Sequence, residues 1–387
     1  MPGPLTIVFC ANSAFGIANF RGGVIRALVG RGHKVVVVAP DDPWHVDTLR
    51  GIGATFVPWA ISGQGTGVLG ELSAIRRLIS IYREVRPDLA FHFTIKAVIY
   101  GAIAARICAV PFVPVITGLG YVFLNENAIS KVARALYAWT LRWAREVWFL
   151  NADDRSTFER LRLIEGVPIR LLPGEGIDTK HFAAVPLPMS GRPAGAITFL
   201  MIARLLKDKG VLEFIEAAKQ VLRAYPAARF QLLGPAGSAN PSAISRSDID
   251  RLTADGCVEY LGEVGDVRPA IAAADCIVLP SYREGAPRAL LEAASMGRAI
   301  VASDVPGCRD VLVDGVSGVL CRPRDSGSLA DSMSSVARLG SDGVNEMGRR
   351  GRQWMIDHFD EAIVINHYLT AIERLNRPRD ALAERSQ

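Results

Sequence analysis

The run Lys34-Val-Val-Val-Val-Ala39 constrains this chain more than any other segment. Four consecutive valines leave no polar face, and β-branched side chains favour extended backbone, so the run predicts a strand covered on both sides. Such strands belong to parallel sheets, whose crossover connections lay helices over both faces. The first half of the chain repeats the theme. Strand-like runs at Leu5–Cys10, Ala54–Pro58, Leu89–Phe93, Phe112–Thr117, Glu146–Leu150 and Ile169–Leu172 alternate with helical spacing at Asn19–Arg31, Val68–Val85, Lys96–Cys108, Ser130–Ala144 and Asp153–Leu163. That is the pattern of a doubly wound α/β domain.

Around Ala183–Gly195 the composition turns to Pro, Ala and Gly, as in a linker. Alternation then restarts. Strands are predicted at Ile197–Ala203, Phe230–Gly234, Val258–Leu261, Cys276–Pro280, Ala299–Ser303 and Gly318–Cys321, with helices at Val211–Ala224, Val267–Ala273 and Pro287–Met296. The expectation is two Rossmann-like domains, 1–185 and 195–357, facing a central cleft, which suits 387 residues. A final helix around Phe359–Leu375, within 358–387, is expected to pack back on the first domain.

Composition narrows the function. Half of the residues are hydrophobic and 21% are charged, a globular balance. A net charge of +5 is too weak to argue for nucleic acid, but it suits an anionic small substrate or an anionic membrane surface. The six cysteines are scattered without metal-ligand spacing, which fits a reducing cytoplasm. A strand begins at Leu5, so no signal peptide is expected. The uncharged stretch Ile107–Leu124 nears the length of a membrane span, yet Pro111, Pro114, Gly118 and Gly120 make it a buried strand and loop. The expected protein is cytoplasmic, soluble or peripheral on the inner face of the membrane.

Two segments carry the chemistry. In Glu284-Gly-Ala-Pro-Arg-Ala-Leu-Leu-Glu292, the second carboxylate sits among apolar neighbours on a short helix, where a charge needs a partner. Vicinal ribose hydroxyls would serve; an exposed face or a structural ion pair would also explain Glu292. Glu284, in the loop before that helix, could reach further sugar hydroxyls, and the helix start offers N–H groups to a phosphate. In Ala203-Arg-Leu-Leu-Lys-Asp-Lys-Gly210, Arg204 and Lys209 flank a strand-to-helix turn. There they could neutralise the charge on a departing diphosphate, or be a solvated basic loop.

Other features are weaker. Asn12–Gly16 reads as a small-residue loop facing a phosphate or as a plain turn, and it lacks the full G-x-G-x-x-G fingerprint of a dinucleotide site. Ile116–Tyr121 is another loop at the cleft edge. Asp153-Asp154 fits acidic residues in a helix's first turn better than a metal site. His92, in Phe91-His-Phe93, reads as a core histidine. Ala128–Trp148 interleaves Lys131, Arg134, Arg142 and Arg145 with Leu136, Tyr137, Trp139, Trp143 and Trp148. With Arg76, Arg77, Arg83 and Arg86, it suits an anionic membrane surface or an ordinary helix whose tryptophans point inward.

Taken together, these positions resemble glycosyltransferase family 4, most densely in Arg204…Lys209-Gly210, Pro280-Ser-Tyr-Arg-Glu-Gly285, Leu290-Leu-Glu-Ala293 and Gly315-Val-Ser-Gly318. The resemblance implies the two-domain GT-B fold and transfer of a sugar from a nucleotide donor with retention, without a metal or other cofactor. It implies that Arg204 and Lys209 bind the donor diphosphate, that Glu292 holds the ribose and that Glu284 contacts the sugar. Backbone near Val264 would frame the base, Gly16 would approach the distal phosphate, and Gly285, Ala286 and Leu290 would complete the donor site. Gly118-Leu-Gly120 stands where many members carry a histidine, so that histidine's role does not carry over. Thr94-Ile-Lys96 and Thr117-Gly-Leu-Gly-Tyr-Val-Phe123 look like a bacterial subgroup that transfers hexoses or N-acetylhexosamines from UDP-sugars to lipid-carrier-linked saccharides. A UDP-sugar epimerase, a non-catalytic sugar-nucleotide-binding partner and a nicotinamide oxidoreductase are the competing readings.

Overall fold

A computed structural model describes residues 3–61, 67–119, 123, 128–186, 196–237, 240 and 242–375. The chain divides into two compact units, residues 1–176 with 361–387, and residues 177–360. The first holds strands β1 Thr6–Cys10, β2 Lys34–Ala39, β3 Thr55–Pro58, β4 Leu89–Phe93, β5 Phe112–Ile116, β6 Val147–Phe149 and β7 Ile169–Leu171. The second holds β8 Thr198–Ile202, β9 Arg229–Leu233, β10 Glu259–Gly262, β11 Cys276–Leu279, β12 Ala299–Ser303 and β13 Val319–Cys321.

Both sheets are parallel and doubly wound, in the orders β3-β2-β1-β4-β5-β6-β7 and β10-β9-β8-β11-β12-β13. Strand order reverses between β1 and β4 and again between β8 and β11. Loops leaving the carboxyl ends of such strand pairs frame the ligand crevice of open α/β sheets. The valines Val35 to Val38 are almost wholly buried, because helices cover both faces of β2.

The last helix, Glu361–Leu375, belongs to the first unit. Its Tyr368 packs 4.8 Å from the ring of Trp148 and 4.9 Å from Phe91, in the middle of the first core. Arg374 reaches the buried Glu146 at 2.5 Å. Residues 376–387 of the expected C-terminal segment lie outside the described residues, as do Gly120, Tyr121 and 187–195 of the linker.

The boundary between units falls at Gly176–Ile177, earlier than the composition suggests. The reason is two arginines. Arg298, fully buried, donates to the carbonyls of Val185 and Pro186 while also holding those of Ile271 and Ala272. Arg352 donates to the carbonyls of Thr179, Phe182 and Ser295. Segment 177–186 is thereby tied to the second unit. At the unit's other end, the Ile177 amide donates to the Phe359 carbonyl at 2.8 Å, and the Thr179 hydroxyl bonds the Asp360 carboxylate.

Among the described residues, five helices have no counterpart in the sequence reading: Pro43–Gly51, Arg246–Leu252, Cys308–Val311, Ser326–Arg338 and Gly340–His358. The last carries four glycines, which read as loop until tertiary packing is known. The first helix also starts earlier than expected, at Ala14, because Ser13 caps it. No helix among the described residues is long and apolar enough to cross a membrane.

Candidate active site

The switch point of the second sheet is built by the loops after β8 and β11. The first runs through a short 3-10 turn, Lys207–Lys209, and ends at Gly210, which opens the helix Val211–Ala224. Gly210 has φ 78°, and a Cβ there would lie 2.2 Å from the Pro280 carbonyl oxygen. Only glycine lets this loop lie against the end of β11. The Tyr282 amide closes the gap by donating to the Asp208 carbonyl at 2.9 Å.

The result is a direct contact between two residues singled out from sequence. Lys209 Nζ stands 2.5 Å from Glu284 Oε1, with the side chains 21% and 11% exposed. The pair links the two loops across the point where strand order reverses. Behind it, Gly307, at φ 80°, lies so close to the Glu284 and Gly285 carbonyl oxygens that a Cβ would meet them at 2.9 Å or less. Arg204 follows β8 as an exposed residue, with no ion pair among the described residues. The loops thus present an open guanidinium and a half-buried ammonium whose counter-ion is a carboxylate able to accept from hydroxyls.

Glu292 sits on the helix Arg288–Ser295, which follows the same loop. It is buried, and its partner is Arg288, one turn earlier, at 2.9 Å. Burial raises its pKa, Arg288 opposes that shift, and Asp266 in the loop after β10 adds to it. Val264, in the loop after β10, is exposed. The ion pair offered as one explanation of Glu292 is therefore present, and sequence reading missed its partner. An Arg four residues before a Glu on a helix was the available signal. Pro287 caps the helix without a side-chain hydrogen bond, so no cap side chain engages the first-turn N–H groups.

Gly285 and Ala286 lie in the loop between the two carboxylates, both partly exposed. Leu290 does not line the surface: its side chain is wholly buried in the core, and its amide donates to the Pro287 carbonyl. Gly16 lies in the first unit, within the first turn of the helix Ala14–Gly30 rather than in a loop. Its amide already donates to the Ser13 hydroxyl at 3.2 Å, because that cap forms at the helix start.

Elsewhere in the first unit, Asp153 and Asp154 occupy the first turn of the helix Ala152–Arg160, capped by Asn151. His92 is fully buried in the core and shares one hydrogen bond with the Tyr82 hydroxyl, at 2.8 Å. The aromatic run after residue 128 divides. Tyr137, on the helix Ala128–Leu141, and Trp148, in β6, are both buried core residues. Trp139 is 43% exposed and packs edge-on against Trp143 at 4.4 Å. Among the described residues, no group of three or more His, Cys, Asp or Glu is placed to hold a metal ion.

Residues 15–175 match the model of a glycosyl transferase 4-like domain, and residues 196–338 match that of the glycosyl transferases group 1. The chain is 26% identical to the N,N'-diacetylbacillosaminyl-diphospho-undecaprenol alpha-1,3-N-acetylgalactosaminyltransferase of Campylobacter jejuni, over 96% of this chain and 99% of that protein. It is also 26% identical to the UDP-Gal:alpha-D-GlcNAc-diphosphoundecaprenol alpha-1,3-galactosyltransferase of Escherichia coli, over 81% of each. Among solved structures, Anabaena HepE in complex with UDP and glucose superposes with a TM-score of 0.76 at 20% identity, covering 96% of this chain and 99% of that one. Two parallel doubly wound domains, the first matching the 4-like model and the second the group 1 model, make this chain a member of the glycosyltransferases of the GT-B fold.

Proposed function

We propose that the chain transfers a hexose or N-acetylhexosamine from a UDP-sugar to a saccharide carried on a lipid diphosphate, with retention of configuration and without a divalent metal. The Lys209–Glu284 contact carries the reading, since it puts a cation and a hydroxyl-accepting carboxylate side by side at the switch point. The two undecaprenol-linked relatives, similar over most of their length, support the substrate class.

In this reaction the bond from the sugar's anomeric carbon to the β-phosphate oxygen breaks. Charge grows on the leaving UDP, and Lys209 with Arg204 offsets it. Glu292 accepts from the ribose hydroxyls and Glu284 from the sugar, while backbone near Val264 frames the base. The acceptor hydroxyl attacks the face from which UDP leaves, forming the new glycosidic bond, and its proton passes to the β-phosphate oxygen.

The lipid-linked acceptor calls for work at a membrane surface. Leu69, Leu72 and Val132 are strongly exposed, and Arg76, Arg77, Arg83 and Lys131 are exposed on the same helices. Each such cation near an anionic leaflet contributes about 1 kcal/mol, lost as salt rises.

A thermal-shift panel of UDP, GDP, ADP and their sugars tests the donor, because ligands stabilise the fold by mass action. Transfer to an undecaprenyl-diphosphate-linked saccharide, with the product anomer read by NMR, tests the rest. An inverted product, or full loss of activity in EDTA, would overturn the mechanism. Sedimentation with anionic but not neutral vesicles, weakening with salt, is expected of the surface.

A further inference from the structure

Three segments of the second domain hold Tyr282. Its amide donates to the Asp208 carbonyl at 2.9 Å, and its hydroxyl donates to Glu213 Oε1 at 2.6 Å, in the first turn of the helix Val211–Ala224. The Arg324 guanidinium, three residues past β13, lies 4.5 Å from the centre of its ring. Asp208 and Glu213 bracket Lys209 in sequence, and Tyr282 stands two residues before Glu284. The bonds of Tyr282 therefore frame the contact between Lys209 and Glu284.

This frame is needed because the ladder does not reach the site. β8 and β11 pair at Phe199 with Cys276 and at Leu200 with Ile277, and the ladder register goes no further toward Arg204 or Glu284. Beyond it, the relative placement of the two loops rests on contacts such as those of Tyr282. Burial first, and the Glu213 carboxylate second, push the Tyr282 hydroxyl up to about 12, so it stays a donor across the physiological range. Glu213 Oε2 is buried without a hydrogen-bond partner among the described residues, which leaves the tyrosine hydroxyl to anchor the carboxylate through Oε1.

We propose that Tyr282 and Glu213 are positioning residues for transfer: a staple between the loops after β8 and β11 that sets the register at which Lys209 meets Glu284 and both meet the donor. The proposal rests on the donor site assigned to those two residues. It gives Tyr282 and Glu213 no contact with the sugar nucleotide.

The test uses the full chain and the variants Tyr282→Phe, Glu213→Ala and Glu213→Gln. Tyr282→Phe removes one hydroxyl and keeps the ring, the amide bond and the Arg324 contact. It should lower kcat about tenfold, the scale of one hydrogen bond to a charged group, with UDP affinity changed less than about threefold. Hydrogen exchange should rise in peptides covering residues 204–210 and 280–286, with little change elsewhere. Glu213→Ala should do the same, Glu213→Gln should recover most of the loss, and the double variant Tyr282→Phe/Glu213→Ala should be no worse than the poorer single one. Wild-type kcat in Tyr282→Phe overturns the proposal. So does unchanged exchange in both peptides, or an equal fall of kcat, UDP affinity and melting temperature, which would mark a general structural role. If the wild-type chain neither binds UDP nor transfers sugar, the donor reading fails, and the exchange experiment still decides whether the staple exists.

Discussion

Lys209 and Glu284, 75 residues apart in the chain, meet at 2.5 Å where the strand order of the second sheet reverses. An ion pair there holds each side chain in place before a donor arrives. In the proposed reaction a bound diphosphate competes with Glu284 for the ammonium, and the sugar competes for the carboxylate. Lys209→Ala should lower kcat by on the order of 10²-fold, the cost of removing one group that stabilises leaving-group charge. Lys209→Ala and Glu284→Ala combined should be less than multiplicative, because the single changes disrupt the same contact. Steady-state kinetics of the four-member cycle measures this.

Glu292 predicts a different signature. Loss of its carboxylate in Glu292→Ala should weaken UDP binding about tenfold, the scale of a hydrogen bond to a charged group. The relative preference among UDP-sugars should not change, since the ribose is common to all of them. The comparison is with Arg288→Ala, which frees Glu292 without removing it and should cost less affinity. Isothermal titration with UDP decides the order.

Gly210→Ala should be severe for its size. The new methyl would fall against the Pro280 carbonyl, in backbone that costs an ordinary residue about 1–2 kcal/mol. The melting temperature should drop, and turnover should fall further than stability alone explains, because the displaced segment carries Lys209. A variant with reduced melting temperature but normal kcat would separate the glycine from the site.

His92 gives the fold a pH dependence with a definite sign. Burial pushes its pKa from 6.5 to about 3, so the folded core holds it neutral. Below about pH 6.5 the unfolded chain takes up a proton that the folded site refuses. Stability therefore falls with pH, by up to about 1.4 kcal/mol per unit, until pH approaches 3. Urea unfolding at pH 7.5 and pH 5 should show a larger loss for the wild type than for His92→Gln, by about 2 kcal/mol. Equal losses would assign acid sensitivity to another group.

Arg298 should matter for folding and not for chemistry. It donates to four carbonyls and has no exposed surface, so Arg298→Ala leaves several buried acceptors without a donor. A loss of about 3–5 kcal/mol is expected from urea unfolding, with early proteolysis near residues 183–186. Arg298→Lys should recover little, since one ammonium cannot span the positions that the planar guanidinium reaches.

The alternation of apolar runs with helical spacing made both sheets legible, because a strand buried on two faces leaves an unbroken hydrophobic run, as at Val35 to Val38. Lys209 and Glu284 were legible as types at strand ends, but their contact was not, since it depends on sheet order. Arg288 was overlooked as Glu292's partner although it lies one turn away. The glycines of 340–358 hid a helix, and Ser13 as a cap moved Gly16 from loop to helix. Trp148 falls in the strand expected at Glu146–Leu150, so the run Ala128–Trp148 is not one helix face. The unit boundary eluded composition because it is set by Arg298 and Arg352 reaching back over more than a hundred residues.

The bond from the Ile177 amide to the Phe359 carbonyl makes the second unit an insertion whose entry and exit are stitched together. Residues 177–360 thus begin and end side by side. A chain stopped at Asp360 would take Tyr368 out of the aromatic cluster of Phe91 and Trp148. The amino-terminal sheet completes its core only once the helix beyond the insertion has been made.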